Sequence, residues 1–305
     1  MCRYLVLLCV AVLLFPADAF AWGPGVHLAT ASWLLDQLSL LPALTGAALA
    51  AHPEAFLYGT LAPDIFIGKG CSVRPGHSHN WATAHALLDE TEQASPRLQA
   101  FAAGYLAHLA ADTVAHNHYV PTLLAALPGS GKLSHVYIEM QADRMVVWDT
   151  PTARRLFRGR HRDADAALLR AMRKRNLPFL LKKQLFRSSV ALSGGHMLRH
   201  SLQWAGQLAP AVADKNYLEA MLDVSLRAVV DVLCAPRDSD LLGIDPIGSG
   251  PLREAKLTGG RELPLAMLIG APRLVPLDSR LEALPPLCGQ GTTAPAGIAG
   301  GCQKD

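Results

Sequence analysis

An all-α fold, one multi-helix bundle with an irregular C-terminal extension, is what this sequence predicts. Three observations carry that expectation. Apolar residues recur at three- and four-residue spacing in six separate stretches. No run alternates apolar and polar at period two for long, so strands are expected to be absent or minor. Pro- and Gly-rich breakers fall between the periodic stretches, where connections are needed.

Taken in order, residues 1–21 read as a secretory signal. Arg3 supplies a basic start, Tyr4 to Phe15 an apolar run too short to span a bilayer comfortably, and Ala19-Phe20-Ala21 a small-x-small cleavage site. No small-residue box follows Cys9, so a lipoprotein is not expected. Cleavage after Ala21 would leave Trp22 with a free α-amino group and an exported, secreted or periplasmic, protein. Helices are then expected over Thr30–Leu41, Pro96–His116, Leu133–Trp148, Ala164–Lys174, Pro178–Leu192 and Lys215–Cys234. Ala62-Pro63-Asp64 and Arg74-Pro75-Gly76 bound a glycine-rich connection, and Leu127-Pro-Gly-Ser-Gly131 separates two histidine-rich helices. After about residue 235 the chain turns to Gly, Pro and short apolar pieces. The expected division is a helical domain over 22–235 and an extension over 236–305, loose from about Leu287.

With 50% hydrophobic and 17% charged residues, the chain is a globular protein with a sizeable core and not a disordered one. A net charge of +3 is too small to argue for nucleic acid binding by itself. Cys71, Cys234, Cys288 and Cys302 follow the cleavage site, an even count that permits two disulfides in any of three connectivities. None has the C-x-x-C spacing of a zinc-thiolate site.

The chemistry lies between Trp22 and Glu139. His108, Asp112 and His116 recur at i, i+4 and i+8, on one helical face. His135 and Glu139 repeat the spacing about one helix later. Taken alone, each pair also fits an ordinary His–carboxylate contact. A stripe of such groups is costly to bury without a cation, however. His118 joins the stripe only if the helix distorts before Val120-Pro121, and one of His116 and His118 is expected to be a ligand. Asp64 sits between Phe56-Leu-Tyr58 and Ile65-Phe-Ile67, apolar flanks that favour a metal partner or a turn-capping role. His77 and His79 offer two more imidazoles. His27 lies five residues after Trp22, whose amine and carbonyl oxygen would chelate if Trp22 is the first residue. His85 reads as structural, and His52, His161, His196 and His200 stand apart from the set. His, Asp and Glu without Cys suit zinc, and this many ligands suffice for three ions. Clustered ions clamp a phosphate and acidify a water, which is phosphoester hydrolysis chemistry.

Trp22 after the signal, His27, Pro63-Asp64, His77/His79, His108-x3-Asp112-x5-His118 and His135-x3-Glu139 together resemble the zinc-dependent phospholipase C family, itself akin to single-strand-specific fungal nucleases. The resemblance covers roughly 22–150. It implies a mainly helical fold and a trinuclear zinc site. Asp64, His79, His108 and Asp112 would hold one ion, and His118, His135 and Glu139 a second. Trp22 and His27 would hold the third, with Asp112 bridging. His116 could replace His118. It also makes Asp64 a candidate general base. The expected activity is hydrolysis of a glycerophospholipid phosphodiester. A zinc nuclease or other phosphodiesterase is the first alternative, with nucleic acid not the first choice of substrate, and a non-enzymatic zinc-binding protein is the second. No lipid-docking β-sandwich is evident after residue 150. Pro178–Arg187, apolar with a basic face, reads as a core helix with a solvated edge in preference to an interfacial one. Contact with a membrane surface is therefore expected to be transient.

Overall fold

The computed structural model describes residues 22–66, 76–125, 127, 131–159, 161–174, 176–193, 195–258 and 275–287. The signal segment, Cys71, Cys288, Cys302 and the tail from 288 lie outside the described residues, as do any bridges those cysteines make; Cys234 is an exposed thiol.

The bundle is all-α, with no strand among the described residues. The helices are α1 (Pro24–Leu35), α2 (Ala43–Ala51), α3 (Pro53–Leu61), α4 (Trp81–Thr91), α5 (Pro96–Val114), α6 (Val120–Ala125), α7 (Lys132–Met145), α8 (Thr150–Arg158), α9 (Arg162–Ala171), α10 (Asn176–Ser193), α11 (His196–Leu208), α12 (Lys215–Cys234), α13 (Ser249–Thr258) and α14 (Ser279–Glu282). Their starts follow local chemistry. Proline occupies the first turn of α1, α3, α5 and α8, where its missing N–H costs nothing. Asn80 caps α4 by accepting from Ala82 N at 2.9 Å, and Asp214 caps α12 by accepting from Asn216 N at 2.9 Å and Tyr217 N at 3.2 Å.

The central helix is α5. From Ala100 to Val114 every side chain is buried, the pattern of a helix enclosed on all sides. Its alanines let neighbours approach closely, and α3 comes closest. A Cβ placed on Gly104 would sit 2.1 Å from Phe56 O, and one on Gly59 would sit 2.2 Å from Phe101 O, so only glycine fits on either side of this crossing. α12 packs on α5 through a run of apolar residues that includes Leu218, Leu222, Val229 and Val232.

Two departures from the sequence expectation matter. First, α5 does not run regularly to His116. Ala115–Tyr119 forms a π-helical turn, which adds a residue to the turn and re-aims the side chains beyond it. Second, residues 236–258, expected to be part of an irregular extension, are largely helical. A 3₁₀ turn at Asp240–Gly243 and α13 wrap back onto the bundle, and Leu241, Ile244, Leu252 and Ala255 belong to the main core. Trp81 Nε1 donates to Ile244 O at 2.8 Å and Asn117 Nδ2 to Asp245 O at 2.9 Å, tying the segment down.

Candidate metal centre

Six segments deliver side chains to one buried centre. From α5, His108 and Asp112 project along one face, as their spacing requires. His108 Nδ1 donates to Thr60 O at 2.8 Å, which fixes the tautomer and turns Nε2 inward. Just beyond Thr60 the Pro63–Ile65 3₁₀ turn carries Asp64, fully buried, with Oδ1 3.1 Å from His79 Nε2 and 3.6 Å from His108 Nε2. His79 arrives on the segment that leads into α4. Its Nε2 is 3.0 Å from His108 Nε2 and 3.4 Å from Asp112 Oδ2. His77 does not share that centre. Its Nδ1 accepts from His79 N at 3.1 Å, and Tyr105 donates to Ser78 O, so both brace the strand of backbone that presents His79.

His27, from α1, places Nε2 3.2 Å from Asp112 Oδ1 and stacks its ring on His108 with centroids 3.8 Å apart. Asp112 therefore faces imidazoles with both oxygens: His27 with Oδ1, His79 and His108 with Oδ2. His116 Nε2 also lies on the Oδ2 side, at 3.9 Å. His116 packs against His135, ring centroids 5.6 Å apart, and His135 Nε2 is 2.8 Å from Glu139 Oε1. Behind His116, Gly248 at φ +54° comes so close that a Cβ there would lie 2.2 Å from His116 O.

His118 is the residue the structure does not bring to the centre. Within the π turn it faces the segment around residue 278, where Asp278 N approaches its Nε2 at 3.5 Å. The x5 spacing suggested His118, but the π turn keeps His116 with Asp112 and rotates His118 away. Trp22 is buried, and its indole donates to Ala111 O at 3.1 Å and to Ser225 Oγ at 3.2 Å, beside Asp112. His85 binds the Pro236 carbonyl at 3.1 Å, and His161 stacks on Tyr58 with centroids 4.0 Å apart, both away from the cluster.

Sequence reasoning missed Asp143. It extends the His135–Glu139 stripe by one more i+4 step, which was visible in the sequence. Its Oδ1 accepts from Val26 N at 2.9 Å, capping α1, whose own N-cap Gly23 has no side chain to do so. Asp143 thus ties α1, and with it His27, to the helix that carries His135 and Glu139.

The donors fit zinc. Asp64 Oδ2, both Asp112 oxygens, His27 Nε2, His116 Nδ1 and Glu139 Oε1 are buried without a well-formed hydrogen bond, although charged or polar neighbours surround them. Leaving such atoms unsatisfied is costly, and nitrogen and oxygen donors without sulfur are the ligand set of a catalytic zinc site. Two groups, His27/His108/Asp112 and Asp64/His79/His108, bring their ligand atoms within 4.8 Å of one another.

Electrostatics point the same way. Burial pushes Asp64 well above the usual carboxylate range, and does the same to Glu139, with nearby carboxylates adding to it. Burial opposes ionisation of Asp112 too, but the His108 charge and the His108 and His27 contacts outweigh it and hold Asp112 well below its ordinary value. Burial followed by repulsion from His108 brings His27 down to about 4, and burial brings His116 to about 4. For His108, burial is outweighed by Asp112 and Asp64, and the group is held at about 9. The metal-free centre therefore keeps one imidazolium in place of a metal charge. Because that pKa is raised from 6.5, its contribution to stability is complete below 6.5 and is lost as pH rises through about 9. Zinc must displace the same proton. Across that interval the zinc-free protein is expected to melt at progressively lower temperature while zinc affinity climbs. Melting curves and zinc titrations at several pH values check this, and a pH-independent zinc affinity overturns it.

A family model described as zinc dependent phospholipase C matches residues 26–182, just over half of the chain and all of the centre's side chains from His27 to Glu139. No curated protein and no solved structure matches the chain. With a helical bundle and a buried His/Asp/Glu cluster suited to the metal that the family requires, the chain belongs to the zinc-dependent phospholipase C family and is a zinc-dependent hydrolase.

Proposed function

We propose that this enzyme is exported, begins at Trp22 after signal removal, and cleaves the phosphodiester of glycerophospholipids to release diacylglycerol and a phosphorylated head group. The observation that carries the reading is Asp112, whose two buried oxygens face different sets of imidazoles in a chain of this family. Asp64, His79, His108 and Asp112 would hold one ion. His27 and Asp112, with the Trp22 amine and carbonyl oxygen, would hold another. His116, His135 and Glu139 form the third set, with His116 in the place first given to His118. Zinc, when bound, supplies a water acidified to near neutrality and charge neutralisation at phosphorus. Among the chain's own groups, Asp64 Oδ2 is a buried carboxylate oxygen with no hydrogen-bond partner, poised to accept the proton of an attacking water. His108, locked by Thr60 O, fixes the distance between the two carboxylates. Export is supported by the basic, apolar and small-x-small order of residues 1–21, with the cleavage point falling immediately before Trp22.

The test combines N-terminal sequencing and zinc analysis of exported protein with parallel assays on phosphatidylcholine and single-stranded DNA. A start at Trp22, close to three zinc ions, and release of diacylglycerol with phosphocholine are expected. Cleavage of DNA but not of phospholipid overturns the substrate. An intact signal segment in active protein overturns the role of the terminal amine.

A further inference from the structure

Charge along this chain is segregated in a way the net value hides. Between Asp165 and Asp214 there is no acidic residue, while eight are Lys or Arg. That stretch contains α10, whose two faces are both apolar. Phe179, Phe186 and Val190 point into the bundle and are buried. On the opposite face, Leu181 and Leu185, one helical turn apart, are 66% and 65% exposed, and neighbouring Leu180 is 50% exposed. A helix that serves only the core needs one apolar stripe, and its outer face is normally polar. Here the outer leucines are bordered by Lys182 on one side and Arg187 on the other, as 100° per residue requires.

The placement of α10 is equally informative. It packs against the Pro63–Ile65 turn that presents Asp64, and Phe179 meets Phe66 with ring centroids 5.3 Å apart. Lys174, just before the helix, lies 5.2 Å over the Phe66 ring, and the adjoining hollow on α9 is lined by Arg162, Arg170, Arg173 and Lys174 with Asp165 as its one acid, Arg170 being paired with Glu90 at 2.8 Å. An apolar ridge with basic shoulders therefore forms the outer face of the helix whose inner face packs on the Asp64 turn. Leucines that enter an acyl boundary while lysine and arginine stay at the head groups are how an interfacial helix binds a bilayer, and basic groups strengthen that binding only where the lipids are anionic.

We infer that the Leu181/Leu185 face of α10 with its basic surround docks the enzyme onto an anionic lipid surface, beside the Asp64 turn. The inference rests on the phospholipid reading above, and it revises the sequence expectation that this helix serves the core with a merely solvated edge: it does both.

The test uses zinc-loaded wild-type protein and the double variant Leu181→Glu/Leu185→Glu. Both are co-sedimented with phosphatidylcholine vesicles with and without phosphatidylglycerol. Both are also assayed on those vesicles and on a short-chain phosphatidylcholine below its micellar concentration. Wild type is expected to prefer the anionic vesicles, and the variant to lose at least about tenfold in vesicle binding and in vesicle hydrolysis. Hydrolysis of the dispersed substrate and thermal stability stay unchanged, because neither leucine contributes to the centre or the core. Equal vesicle binding by variant and wild type overturns the inference, as does equal binding to neutral and anionic vesicles. So does a wild-type dimer that the variant converts to monomer in size-exclusion chromatography, since a second copy would then cover the face. Leucine-dependent binding to anionic vesicles without cleavage of any phospholipid upholds the docking surface and sinks the substrate assignment instead.

Discussion

Asp112→Asn is expected to strip the enzyme of most of its zinc and to lower kcat/KM by on the order of a thousandfold or more. Asn preserves the shape of the side chain but removes the charge and turns one oxygen into an N–H₂ group. That group would point at imidazole nitrogens which, in the metal-loaded state, must be unprotonated. No neighbouring carboxylate can take over, because His27 meets Asp112 Oδ1 at 3.2 Å while Asp64 is held against His79 and His108. Metal analysis of the purified variant, alongside activity with zinc in excess, reads the result. Wild-type zinc content would sink the idea that Asp112 joins two sites. In zinc-free protein the same substitution leaves the raised proton on His108 without its main partner, so the metal-free variant should also melt below metal-free wild type.

The largest effect on the fold is expected from Gly104→Val. The new Cβ alone would lie 2.1 Å from Phe56 O and 2.9 Å from Thr60 N, backbone atoms that no rotamer change can move. Separating α3 from α5 enough to admit the side chain would empty contacts along a crossing where only glycine fits on either side. A loss of at least about 3 kcal/mol follows, enough to unfold many domains. The displacement acts on the centre as well. Thr60 O accepts from His108 Nδ1, and Thr60 leads directly into the turn that holds Asp64. Even a folded fraction would therefore bind zinc poorly. Thermal melting and zinc content report the two consequences separately, and near-wild-type stability would show that the helices can slide apart.

Much of this architecture was legible because the helical period is written in side-chain spacing. Lys215–Cys234 matches its expected limits at both ends, since Asp214 is a strong cap and an apolar stripe follows it. His108/Asp112 and His135/Glu139 converge because i, i+4 pairs share a face whatever the rest of the fold does. What escaped was set by tertiary contact. Periodicity alone placed the first helix at Thr30, whereas Pro24 starts it one and a half turns earlier. α2, short and rich in alanine, and α3, short and apolar nearly all round, have little amphipathic contrast to detect. The choice between His116 and His118 turned on a π turn, which has no signature in spacing and is closely approached by Gly248, 132 positions away from His116 in the chain. The wrap of residues 240–258 onto the bundle was hidden for a similar reason: Trp81 and Asn117 hold it from far upstream.

The anchoring of Trp22 sets the order in which this protein can mature. Its indole is held by residues 89 and 203 positions downstream, the second on one of the last long helices. Loops of that size close slowly, after local helices have formed. Trp22 can therefore take its seat only when α12 has been made and docked, and a cation arriving earlier would meet scattered side chains in place of a finished cradle. Stable loading is therefore expected only once this long-range seat has closed.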